Sequence, residues 1–117
     1  MHGAVAAAHL GNEPLVADVK CGFKHANISE KLKALLAIAA RTAASGKDVT
    51  PADIARARDL GASDVEIHDT VLIAAVFCMC NRYVGGLGTW APDDPDFYRE
   101  RAKIVAAGGY ATSAITP

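Results

Sequence analysis

Ten consecutive apolar residues, Val71 to Cys80, follow closely on a Ser63-Asp64-Val65-Glu66 capping box. Ser at the cap and Glu three residues on start a helix, and nothing in the apolar run breaks it. A helix that is apolar all round needs burial on every side. A chain of 117 residues can hardly supply that cover alone. A partner subunit is therefore expected over part of this helix. The run is about half the roughly 18 apolar residues that cross a bilayer, so no membrane partner is expected.

The rest of the chain also reads as helix. Alanine is abundant, β-branched alternation is scarce, and apolar residues recur at helical spacing. Met1 to Leu10 forms a helix stopped by Gly11, and it has no N-terminal cap of its own. It reads as the back half of a longer helix. Pro14 to Lys20 is a short helix capped by Asn12, and Cys21 to Ile28 is a connector. Ser29 caps a helix of about four turns with an apolar stripe of Leu32, Leu35, Leu36, Ala39, Ala40 and Ala43, ended by Gly46. Thr50-Pro51-Ala52-Asp53 starts a helix that runs through Arg58 and stops at Gly61. The central helix ends at Gly85, Gly86 and Gly88. Asp94-Pro95 starts a last helix to about Ala107, and the tail after Gly108-Gly109 is expected to fray. The expectation is one all-α domain over residues 1–117.

Hydrophobic residues are 51% of the chain and charged residues 21%, which excludes wholesale disorder. The net charge of -1 and the 6% of aromatics leave neither a basic surface nor a stacking platform, so no nucleic-acid partner is expected. The opening MHGAVAAAHLGNE lacks the basic region of a secretory signal. Three cysteines make no disulfide scaffold, and free thiols place the chain in the cytoplasm by expectation.

Cys78 and Cys80, two apart on a helix, point about 200° from one another and cannot pair without unwinding it. They read as small buried hydrophobes. His2 and His9 share one helical face. With Cys21 and His25 they match no compact zinc pattern, and neither metal nor cofactor is expected. His68 shares a face with Leu72, Ala75 and Met79 and reads as a hydrogen-bonded core histidine. Glu66 and Asp69 suit the first turns of the central helix, with a proton relay as the sharper reading. Arg82 could hold a carboxylate across an interface. No phosphate-binding loop and no nucleophile elbow occurs, and the glycines at 85, 86 and 88 follow a helix rather than a strand.

From Val49 onward the sequence resembles the carboxymuconolactone decarboxylase and alkyl hydroperoxidase D-like superfamily, in its peroxidase-related branch. The resemblance rests on Asp53 to Gly61, on Glu66-Ile67-His68-Asp69 through Phe77 to Asn81-Arg82, and on Gly86-Leu87-Gly88. Lys24 to Ser29, leading into LKALLAIAART, resembles the family's linker into its next helix. The resemblance implies a helical bundle assembled as a homo-oligomer, a trimer or hexamer. It also implies peroxiredoxin-type antioxidant activity on a small-molecule peroxide. The redox-active members carry C-x-x-C-x-x-x-H on a helix, with two thiols cycling to a disulfide and the histidine relaying protons.

This chain has no C-x-x-C. Its Met1-His2-Gly3-Ala4 resembles the tail of the motif, with His2 in the place of the catalytic histidine. The cysteine pair would then lie just before Met1. The expectation is a chain with the N-terminal part of the pattern missing, or a member without the thiol pair. Either would be inactive as a peroxidase as it stands. Two further readings stay open: a lactone decarboxylase using Arg82 and His68, and a non-catalytic helical oligomer that binds a small apolar ligand.

Overall fold

Helix caps written into the sequence set most of the boundaries in the computed structural model, which describes residues 1–110. Its α-helices are α1 (His2–Leu10), α2 (Glu13–Gly22), α3 (Glu30–Ala44), α4 (Pro51–Asp59), α5 (Asp64–Gly86) and α6 (Pro95–Gly108). A short 3-10 turn, Gly46–Asp48, links α3 to α4. There is no strand among the described residues, and the all-α expectation holds.

The caps work as their chemistry requires. Side chains of Asn12, Ser29, Thr50, Ser63 and Asp94 accept hydrogen bonds from the first-turn N–H groups of α2 to α6. Thr50 with Asp53, and Ser63 with Glu66, form full capping boxes. Gly11 ends α1 at φ 60, and Gly61 turns the chain between α4 and α5 at φ 88. Both are left-handed positions that favour glycine. The tail from residue 111 lies outside the described residues, and so does the fraying expected of it.

The chain divides into two compact units. The first joins Met1–Asn27 to the chain from Trp90 onward. In it α1 packs on α2 and α6, around Val5, Ala102 and Val105. Arg99 of α6 is held by Glu13 of α2 at 3.1 Å and by Asp96 one turn back on its own helix. Both partners raise its pKa, the Asp96 hydrogen bond most.

The second unit is Ile28–Thr89. Here α3 is the centre, packed on α4, α5 and the 3-10 turn. Ala34, Leu35, Ile38, Ala57, Ala62 and Ile67 form the core, flanked by Val49, Ile54 and Val71. Ile38 is fully buried.

Several sequence expectations are corrected. Of the expected stripe of α3 only Leu35 is buried, with Leu36 and Ala39 half-buried; Ala34 and Ile38, outside that stripe, complete the buried face. Leu32, Ala40 and Ala43 are exposed. The face that packs is the one carrying Ile38, because α4 and α5 approach α3 from that side. Helix α2 extends through Cys21 and Gly22, so the connector is shorter than expected. Helix α3 stops at Ala44 with Ser45 as its cap, one residue ahead of the expected Gly46.

The largest departure concerns α5. Of its 23 residues only Ile67 is buried. Within its unit, α3 covers one side of this helix and the rest is exposed. Within the second unit, burial on every side is not achieved.

Candidate functional site

The most unusual surface is the outward side of α5. At 100° per residue, Ile67, Val71 and Cys78 share the side turned to α3. Cys78 Sγ there lies 3.8 Å from the carbonyl oxygen of Ala43. Val65, Leu72, Val76, Met79, Tyr83 and Leu87 lie on the opposite side and are all exposed, Met79 by 64% and Tyr83 by 68%. Isolated exposed hydrophobes are ordinary, whereas the four from Leu72 to Tyr83 on one side of α5 form a contiguous apolar surface, with Asp69 between them and Val65 and with Leu87 at the helix cap.

The helix is 23 residues long, with a mean hydropathy of 1.2 over its most apolar 18 residues. By length and composition alone it reaches what a bilayer crossing needs. The expectation that no segment does so counted only uninterrupted apolar residues. The helix as folded also includes Asp64, Glu66, Asp69 and Arg82.

The start of α5 is polar and ordered. Glu66 accepts from the Ser63 backbone N–H at 2.8 Å and from Lys31 Nζ of α3 at 2.7 Å. These bonds hold its carboxyl below the ordinary range, the Lys31 hydrogen bond contributing most. Glu66 is therefore a structural anion that ties α5 to α3. It is not poised to move a proton at neutral pH.

His68 is not in the core. Its ring is exposed, and Nδ1 lies 3.1 Å from Asp69 Oδ1. The expected neighbours Leu72, Ala75 and Met79 are exposed as well, so this face of α5 has no core to enter. Arg82 is exposed and donates from Nη1 to the Cys78 carbonyl oxygen, one turn back. His68 and Arg82 are fourteen positions apart on one helix, a separation of about 21 Å at 1.5 Å per residue. Within one copy α5 does not bring the two together.

Cysteine geometry agrees with helical spacing but not with burial. Cys78 is half-buried, while Cys80 and Cys21 are exposed, and all three are free thiols. Cys80 stands beside the apolar row rather than in the core.

In the first unit, His2 opens α1 on the surface and its ring lies against Tyr110, centroids 5.4 Å apart. A cleft of about 180 Å³ runs between α1, α2 and the start of α6, lined by Gly3, Ala7, Glu13, Lys20 and Arg99. The Lys20 side chain crosses Gly3 so closely that a β-carbon there would meet its Cε at 2.8 Å. The charged groups at the cleft are Glu13 and Arg99, which are paired, and Lys20. Among the described residues no three His, Cys, Asp or Glu side chains converge to hold a metal ion.

Compared with known proteins, the chain matches no family model, no curated protein and no solved structure. Its own geometry therefore carries the functional reading. Sequence reasoning missed the outward row of α5 as a separate feature. The signal was present in the spacing of Leu72, Val76, Met79 and Tyr83, but it lay inside a run apolar on all sides.

Proposed function

We propose that this chain is a self-associating helical subunit of the alkyl hydroperoxidase D-like type, whose own 117 residues supply the scaffold but not a dithiol peroxidase centre. The observation that carries it is the exposure of α5, a long apolar helix with only Ile67 buried. Burial of apolar surface is the main driving force for association. A helix this apolar and this exposed is accounted for by a partner surface.

The family resemblance supports the redox side of the reading. In a dithiol peroxidase one thiolate attacks the O–O bond, an alcohol or water leaves, and the sulfur becomes a sulfenic acid. The second thiol then displaces water and forms the disulfide, which a reductant returns to two thiols. That cycle needs two thiols within bonding reach. Cys78 and Cys80 point to different sides of α5, one towards α3 and one outward. His2, the motif histidine by resemblance, sits at the surface where α1 begins.

The test combines size with turnover. The purified chain at tens of micromolar is expected to run at a multiple of 12.2 kDa. With hydrogen peroxide and dithiothreitol it is expected to consume peroxide no faster than the reductant alone. A monomer would remove the assembly reading. Turnover abolished by C78A or C80A would remove the scaffold reading and return those thiols to catalysis.

A further inference from the structure

We propose that the cleft between α1, α2 and α6 binds a short-chain monocarboxylate, with the Lys20 ammonium holding the carboxylate. All of its lining residues lie in the first unit, so the proposal stands apart from assembly through α5. The cleft has a volume of about 180 Å³. An apolar cavity of about 150 Å³ takes a benzene molecule, so a ligand of butyrate's size has room here. Ala4 and Ala7 of α1, with Val16 and Ala17 of α2, give the cleft an apolar wall.

Charge selects the head group of the ligand. The ionisable side chains that line the cleft are Glu13, Lys20 and Arg99. Glu13 and Arg99 neutralise one another at 3.1 Å, and Asp96 takes a further N–H of Arg99. Lys20 has no hydrogen bond or ion pair among the described residues. It is the lining charge left without a counter-charge. One unmatched cation suits a single negative charge. The second charge of a phosphate or a dicarboxylate would enter a cleft that also holds the Glu13 carboxylate, with nothing to offset it. The ammonium–carboxylate hydrogen bond is charge-assisted, and the apolar wall covers the alkyl chain. A wholly apolar ligand would leave the ammonium unmatched, and a cationic one would be repelled by it.

Gly3 is what lets Lys20 lie along the cleft. The Lys20 side chain runs directly across Gly3, where a β-carbon would meet Cε at 2.8 Å and Nζ at 2.9 Å. Both distances are shorter than an ordinary carbon contact. Any side chain at position 3 therefore pushes the end of Lys20 away from α1. Lys20 is exposed and its stem is flexible, so it swings aside without disturbing the packing around Val5, Ala102 and Val105. Gly3 is a positioning residue, and Lys20 is the residue that touches the ligand.

The experiment is a titration of the isotope-labelled full chain with sodium butyrate, read from backbone amide shifts, with sodium chloride holding the ionic strength constant. Butanol and butylammonium serve as controls. The native chain is expected to show saturable shifts at Gly3, Ala7 and Lys20, with a dissociation constant of about 1 mM. Neither control is expected to give shifts that saturate. Lys20→Gln keeps the stem and removes the charge, whereas Gly3→Ala displaces the charge and favours the helical conformation of α1. Each should weaken butyrate binding about fivefold or more. Helical circular dichroism checks that each variant folds. No saturable shift with butyrate, butanol binding as well as butyrate, or unchanged affinity in Lys20→Gln overturns the site. Unchanged affinity in Gly3→Ala overturns the positioning of Lys20 by Gly3.

Discussion

Lys31 of α3 and Glu66 of α5 meet at 2.7 Å, and the same Glu66 closes the capping box that starts α5. This carboxylate helps fix where α5 begins, and the packing of Ile67 and Val71 on the core of α3 sets the side it turns to α3. The apolar row on the other side is left facing outward by that choice.

Acid should loosen this contact in a defined direction. Glu66, Glu30 and Asp53 all titrate below their ordinary values, by the Lys31 hydrogen bond, the Lys33 hydrogen bond and the Thr50 backbone hydrogen bond respectively. With folded pKa below unfolded pKa, their stabilisation is complete above the unfolded values of 4.5 for Glu and 3.8 for Asp. It is lost as the pH falls from there through the folded values. Thermal melts of the native chain should be level above about pH 5 and fall steadily below it. E66Q should flatten part of that fall, and an unchanged profile in E66Q would contradict the role of Glu66.

The two faces of α3 should respond unequally to truncation. Ile38 is fully buried, so Ile38→Ala should cost about 2–5 kcal/mol in urea unfolding. Leu32 is exposed, so Leu32→Ala should change stability by about 0.5 kcal/mol or less. Equal costs would place the wrong face of α3 in the core.

The first unit has its own packing test. Ala102 is 1% exposed where α6 meets α1. Ala102→Leu adds volume with nowhere to go and should cost about 1–3 kcal/mol. Ala8→Leu, on the exposed side of α1, should be near neutral in the same unfolding experiment.

Much of this was legible in the sequence. Five caps fall where Asn12, Ser29, Thr50, Ser63 and Asp94 place them, because capping is a local bond between near neighbours. The face of α3 was legible only in part: Leu35 is in the core as expected, but Ala34 and Ile38 lay outside the expected stripe. Leu32, Leu35, Leu36 and Ile38 offer overlapping apolar sides, and only the approach of α4 and α5 selects Ile38. His68 was misplaced for a related reason: its face of α5 is apolar, but apolar character does not say whether the cover comes from this chain. The Lys31–Glu66 contact spans 35 positions, and no local pattern announces it.

Thiol reactivity should report the covered face of α5. Cys80 is exposed in the single chain and stands beside the apolar row. In the associated native protein it should react with a thiol reagent more slowly than Cys21. In Val76→Lys, which sets a charge in the centre of the row, Cys80 should react as fast as Cys21. Cys78, half-buried against α3, should lag in both proteins. Identical Cys80 rates in the two proteins would mean that nothing covers this face.

The most direct test is the mass of the native chain and of Val76→Lys by sedimentation equilibrium at tens of micromolar. The account predicts at least twice 12.2 kDa for the native chain and 12.2 kDa for a folded Val76→Lys. A native chain that sediments at 12.2 kDa, with α5 bare in solution, would contradict it.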